Sequence, residues 1–182
     1  MKKTIILFMA AMFGLNIQAT KIEEYKENNG VLCLKTSSET IDLTHGFDLR
    51  LMRLSHGETV QYFICGESET NKYHNIPGKG MFEFVLMNGE SITLFSAFSY
   101  VNQLGEHSYK PTAYYPITQD QLEQLKIGIK SIKVELLSYD KKTDTVTSEI
   151  QEAVYKKDKI GKKIAEMEDV IEEKIGDMTK GN

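Results

Sequence analysis

The sequence predicts an α+β protein: an antiparallel β-sheet, a meander of about six to seven strands, joined to a short helix and a long C-terminal amphipathic helix. Three observations predict it. Apolar side chains alternate with polar ones through most of the region from Val31 to Tyr114. Asn88-Gly89, a dipeptide suited to tight hairpin turns, sits between two such runs. After Tyr115 the pattern changes to a capped helix, one more strand and a long charged tail with apolar residues at threes and fours.

Ahead of these elements stands a leader. Lys2 and Lys3 precede an almost wholly apolar run, Ile5–Leu15, and Asn16–Ala19 is more polar and ends in a small residue. This is the layout of a signal peptide cleaved after Ala19. The run is shorter than the roughly 20 residues a spanning helix needs. Thr20, not cysteine, follows the expected cleavage point, so no lipid anchor is expected there. The reading divides the chain into a signal peptide, 1–19, and a single α+β domain, 20–182, exported to the periplasm or beyond the cell, with no membrane span once the leader is gone.

The elements follow in order. Val31–Thr36 and a brief Thr40–Leu43 come first. Phe47–Leu54 alternates, turns through Ser55–Glu58 and returns as Thr59–Cys65, with Val60, Tyr62 and Ile64 on one face. A polar stretch, Gly66–Lys79, interrupts. Met81–Met87 and Glu90–Phe98 form the hairpin around Asn88-Gly89, with a type I′ turn expected. A weaker strand covers Ser108–Tyr114. Thr118 with Gln121 makes a capping box, Ile117 with Leu122 a hydrophobic staple, and Gly128 closes the short helix. Ile129–Tyr139 alternates again.

The tail admits two readings at its start. Thr145–Ile150 suits the return strand of a hairpin. A second capping box, Ser148 with Gln151, and a run Ile150, Val154, Ile160, Ile164, Met167, Ile171, Ile175 favour one helix over about 149–176. Lysines 156, 157, 159, 162 and 163 crowd its middle, and Glu166, Glu168, Asp169, Glu172 and Glu173 its end. Two such helices laid antiparallel would oppose unlike blocks, so a homodimer through 149–176 is one expectation. An ordinary amphipathic helix lying on its own sheet is the other.

Charge and motifs exclude more than they assign. Without Lys2 and Lys3 the 22 basic residues become 20, against 26 acidic ones, a balance that repels nucleic acid. Cys33 and Cys65 are either one disulfide or two separate small thiols. No Ser lies in a G-x-S-x-G elbow, and Gly78-Lys79-Gly80 precedes a strand, so it is no phosphate loop. The four histidines lack zinc-hydrolase spacing.

In a meander, alternate loops share an end of the sheet. His45, the loop with Tyr73 and His74, and the turn with His107 then meet at one end, near Tyr100 and Tyr109. His56 falls at the other, roughly 30 Å from His45. Tyr73, His74, Tyr100, His107 and Tyr109 are therefore the candidate ligand-binding residues. His45, His74 and His107 are a candidate metal set for zinc or another transition metal, although the sequence requires no cofactor. The function expected is an exported, non-enzymatic binding or protein-interaction module whose partner is a protein or a small ligand. The alternative is a small secreted enzyme, with those histidines as its metal site, using the loop-rich end.

Overall fold

The computed structural model describes residues 19–43, 46–68, 74–106, 108–140 and 142–180. Within them the chain forms twelve strands and two helices. β1 (Ile22–Asn28), β2 (Val31–Thr36), β3 (Glu39–Ile41), β4 (Phe47–His56) and β5 (Thr59–Glu67) come first. β6 (His74–Asn75), β7 (Met81–Leu86) and β8 (Ser91–Phe95) follow, then β9 (Phe98–Gly105) and β10 (Ser108–Ile117). α1 (Gln119–Leu125), β11 (Ile129–Asp140), β12 (Thr145–Val154) and α2 (Ile160–Lys180) complete the order.

The α+β architecture is the one the sequence predicts, with a seven-stranded antiparallel sheet in the order β1-β2-β4-β5-β10-β9 and β3 on the edge of β4. A second antiparallel sheet, β12-β11-β7-β8 with β6 on β11, is the addition. The chain leaves the first sheet after β5, builds β6 to β8 in the second, and returns through β9. The changeover occupies two residues. Ser96 N–H still donates to Gly80 C=O of the second sheet (3.0 Å), while Ala97 N–H already donates to Tyr114 C=O of the first (2.8 Å).

Both sheets turn their apolar faces to one interior. Leu34, Leu49, Leu51, Ile64 and Tyr115 from the first meet Phe82, Phe84, Ile132 and Val134 from the second, all fully buried. Phe82 joins them: its ring centre lies 5.9 Å from that of Phe47, 5.1 Å from Tyr115 and 4.8 Å from Phe84, all tilted. Leu122 and Leu125 of α1 and Ile160, Ile164, Met167 and Ile171 of α2 complete the core. No helix among the described residues is long and apolar enough to cross a membrane.

The capping box of α1 is present as expected: Gln121 N–H donates to Thr118 Oγ1 at 3.2 Å and Thr118 N–H to Gln121 Oε1 at 3.0 Å. The Asn88-Gly89 hairpin also forms, but not through a type I′ turn. Only Gly89 has positive φ (91°), and its N–H donates to Leu86 C=O at 3.0 Å. This is the longer hairpin loop that ends in a left-handed glycine. Asn29-Gly30, with φ of 50° and 74°, is the turn with two left-handed residues, and it pairs β1 with β2.

The largest correction is the tail. Residues 145–154 are β12, antiparallel to β11 without a break from Ser131↔Val154 to Asp140↔Thr145. The helix begins only at Ile160 and runs 21 residues, about 32 Å. Its start is held by Asp158, whose Oδ1 accepts from Gly161 N–H (2.9 Å) and from Ile129 N–H at the foot of β11 (3.1 Å). Its apolar stripe is buried, so it is spent on the protein's own core. Its acidic residues also find partners in the same chain: Lys126 lies 3.2 Å from Glu168, and Tyr62 donates to Glu172 at 2.8 Å.

Cys33 and Cys65 are free thiols, not a disulfide. β4 runs between their strands, which separates the backbones by about 10 Å, too far to bridge. In register, Cys33 stands opposite Leu54 and Cys65 opposite Arg50, which adds an offset along the strands.

One close approach fixes how the first sheet meets its interior. A Cβ at Gly66 would stand 2.3 Å from Phe47 Cζ, whose ring is 1 % exposed. Gly66→Ala is expected to destabilise the protein by about 2 kcal/mol through overpacking, read as a lower urea midpoint at unchanged slope.

Candidate functional site

Of the residues singled out by sequence, His45, Tyr73 and His107 lie outside the described residues. His74 contributes the backbone of β6, opposite Ser138 of β11. Tyr100 lies on β9 opposite Thr112, and Tyr109 on β10 opposite Gln103. Ser68, after β5, joins two neighbouring segments. Ser68 Oγ donates to Gly46 C=O (2.9 Å), and Ser68 N–H to Pro111 C=O (3.1 Å). Among the described residues no group of three or more His, Cys, Asp or Glu side chains is placed to hold a metal ion.

Two features build a site that single residues did not announce. The first occupies the outer face of the large sheet. Period-two alternation puts Lys35 of β2, Arg50 of β4, Cys65 and Glu67 of β5, and Thr112 and Tyr114 of β10 on that face. Glu67, 5 % exposed, receives Lys35 Nζ at 2.9 Å, Lys110 Nζ at 2.9 Å and Arg50 Nε at 3.2 Å. Arg50 also contacts Glu23 of β1. Burial by itself would raise the Glu67 carboxyl; the hydrogen bonds from Lys35 and Lys110 and the charges of Lys35 and Arg50 outweigh it and hold it at about 2. Beside this cluster, Tyr114 stacks on Phe98, with ring centres 4.5 Å apart and planes at 18°, and lies near Tyr100 at 6.2 Å and 27°. Lys35 Nζ stands 5.6 Å from the Tyr114 ring centre. Phe98 and Tyr100 remain 48 % and 41 % exposed, so the stacked rings form an open aromatic strip.

The second feature is a groove of about 1050 Å³ between α2 and the β5–β10 pair. Val60, Tyr62 and Phe63 of β5 and Pro116 and Ile117 of β10 line its apolar side. Arg53 of β4, Gln119 of α1, and Glu168 and Glu172 of α2 line the polar side. Ala97, at the changeover between the sheets, is also part of the wall.

The polar side is held in place from below. Tyr62 Oη donates to Glu172 Oε1 at 2.8 Å. Burial first, and then this bond to a carboxylate, push the phenol up to about 12. It therefore stays a donor. Gln119 Nε2 donates to Glu168 Oε1 at 2.5 Å. Arg53 donates through Nη1 to Ser55 Oγ at 3.0 Å, but its Nε is buried, 3.9 Å from Glu172 Oε1, and makes no hydrogen bond. A guanidinium N–H that makes no hydrogen bond, beside the Glu172 carboxylate, can take an acceptor while the carboxylate takes a donor. A backbone amide supplies both.

No protein-family model, curated protein or solved structure matches the chain. The signals for this site in sequence were weak. Arg53 and Tyr62 occupy inward positions of strands, where core side chains are expected, and only the three-dimensional course of α2 turns them into a groove wall.

The Glu67 cluster makes a pH prediction. Its folded-state value is depressed, so its contribution to stability is present above the ordinary carboxylate range and lost as pH falls from about 4.5 toward about 2. Glu67→Gln is expected to cost about 2–3 kcal/mol at pH 7, because three cations lose their shared anion. In urea titrations at a series of pH values, the gap between variant and parent should close across that acid window. A gap that is constant with pH would show the carboxylate charge to be irrelevant.

Proposed function

We propose that the protein is an exported, non-enzymatic binding module that holds an extended peptide segment of a partner protein in the groove between α2 and β5–β10. The observation that carries this reading is an apolar-floored groove walled by the Arg53–Glu172 ion pair, in which Arg53 Nε makes no hydrogen bond. The groove is larger than most small-molecule clefts. An extended chain packs its side chains on Tyr62 and Ile117 there while its amides meet the charged wall. Peptides selected from a random displayed library on the purified protein should lose about tenfold or more in affinity toward Arg53→Ala, the value of one charge-assisted hydrogen bond. Selection that yields no binders, or binders indifferent to Arg53, rejects the reading.

Export is part of the same proposal and rests on the leader, residues 1–19. The residues after the expected cleavage point are tied into the domain. Thr20 Oγ1 lies 3.4 Å from Glu166 of α2, Lys21 N–H donates to Ser37 Oγ, and β1 begins at Ile22. Intact-mass measurement of the protein from its native source should give a chain that starts at Thr20. A soluble cytosolic product that keeps the leader contradicts export.

A further inference from the structure

We propose that β12 is a self-association edge, through which two copies of the chain join their smaller sheets about a two-fold axis at Ile150. Among the described residues β12 ends the second sheet and pairs with β11 alone. The phase of that pairing is set by Tyr155 N–H, which donates to Lys130 C=O at 2.8 Å. With the register unbroken, the odd-numbered residues of β12 bond to β11, and the even-numbered ones turn their N–H and C=O groups to the free edge. The same even positions project side chains onto the outer face. There Val146, Ile150 and Val154 are 63 %, 58 % and 67 % exposed, while Gln151 and Ala153 on the inner face are buried.

A long, regular edge with a row of exposed β-branched residues is a template for another strand. The second copy is the occupant that its sequence fits. Antiparallel pairing centred on Ile150 sets Ile150 against Ile150, Val146 against Val154 and Ser148 against Glu152. On the inner face it sets Glu149 against Gln151 and Thr147 against Ala153. Every apolar outward residue meets an apolar one, and no like charges stand opposite each other. The paired even residues are those with free backbone groups, so about ten main-chain hydrogen bonds become available. A slip of one residue opposes inner to outer faces. A slip of two puts Ser148 or Glu152 against Ile150. The apolar stripe of α2, by contrast, is buried and has nothing to offer a partner helix.

Engineered cysteines test the register. Opposed residues of a hydrogen-bonded antiparallel pair have Cα atoms about 5.5 Å apart, within disulfide reach. Ile150→Cys is expected to give a covalent dimer on mild oxidation, whereas Val146→Cys alone is not, and a mixture of Val146→Cys and Val154→Cys chains is. Ile150→Lys keeps an outward partner in Glu135, its cross-strand neighbour on β11. It should leave the circular dichroism spectrum unchanged and raise the dimer dissociation constant about tenfold or more in sedimentation equilibrium. A parent protein that sediments as a monomer at millimolar concentration overturns the proposal. So does Val146→Cys cross-linking as fast as Ile150→Cys. Neither result bears on the groove, which β12 does not line.

Discussion

Burial of one apolar stripe on α2 is the interaction on which the rest of the molecule depends. Two sheets that share an interior leave an opening where their strands diverge. Ile160, Ile164, Met167 and Ile171 fill that opening next to Leu34 and Leu51. Four such side chains removed from water represent roughly 6–12 kcal/mol, on the scale of the whole stability of a domain. The helix has little else to keep it in place at this length. Its start is fixed by the Asp158 carboxylate, and its later turns by Glu168 and Glu172 reaching to α1 and to the β4–β5 hairpin. The groove is the space that this closure leaves uncovered. A small displacement of α2 would move Glu172 away from Arg53 and Tyr62 and Glu168 away from Gln119 and Lys126, so the packing of the core and the geometry of the groove are one constraint.

What could be read in the sequence divides along a physical line. Alternation identifies a strand and its buried face, and capping chemistry identifies α1; both are local, and both appear where expected. Which of two sheets a strand joins is decided by contacts between distant residues, such as Phe82 with Tyr115, and no local pattern encodes it. β12 shows how a local pattern misleads. Its inward residues include Glu149 and Gln151 and its outward ones Val146, Ile150 and Val154, the reverse of an ordinary half-buried strand. Ile150 and Val154 then stand four apart, as on a helix face, and Ser148 with Gln151 imitates a cap. Tertiary pairing with a strongly alternating β11 overrode that signal. β1 was missed for a related reason: Glu23, Glu24, Lys26 and Glu27 hide its alternation, although Asn29-Gly30 marks the turn that follows.

The candidate site was legible only in part. Tyr100 does belong to an exposed aromatic strip, but its stacking partners are Tyr114 and, beyond it, Phe98. In the sequence Glu67 is one acidic residue within a polar stretch. Its three cations arrive from β2, β4 and β10, at separations that no spacing rule connects. The cluster is satisfied within itself, with the carboxylate saturated by donors, and this argues for a structural part. It lets the outer face of the sheet bury Cys65 and Thr112 beneath long charged side chains without a covering helix. That firm floor is what holds the Tyr114 ring against Phe98.

The two surfaces proposed for recognition lie on different sheets, and this separation has a consequence. The groove draws on β4, β5, β10, α1 and α2, while the free edge belongs to β12. Chains joined about Ile150 would therefore carry two unobstructed grooves on one rigid body, in fixed relation. For a partner that presents repeated or paired segments, the second contact becomes intramolecular, and the joint affinity exceeds that of either groove alone by orders of magnitude when the span matches. Weak single-site recognition would then be sufficient. An open groove with one guanidinium N–H that makes no hydrogen bond suits weak single-site recognition, and the unusual outward valines and isoleucine of β12 are what pairing the sites would require.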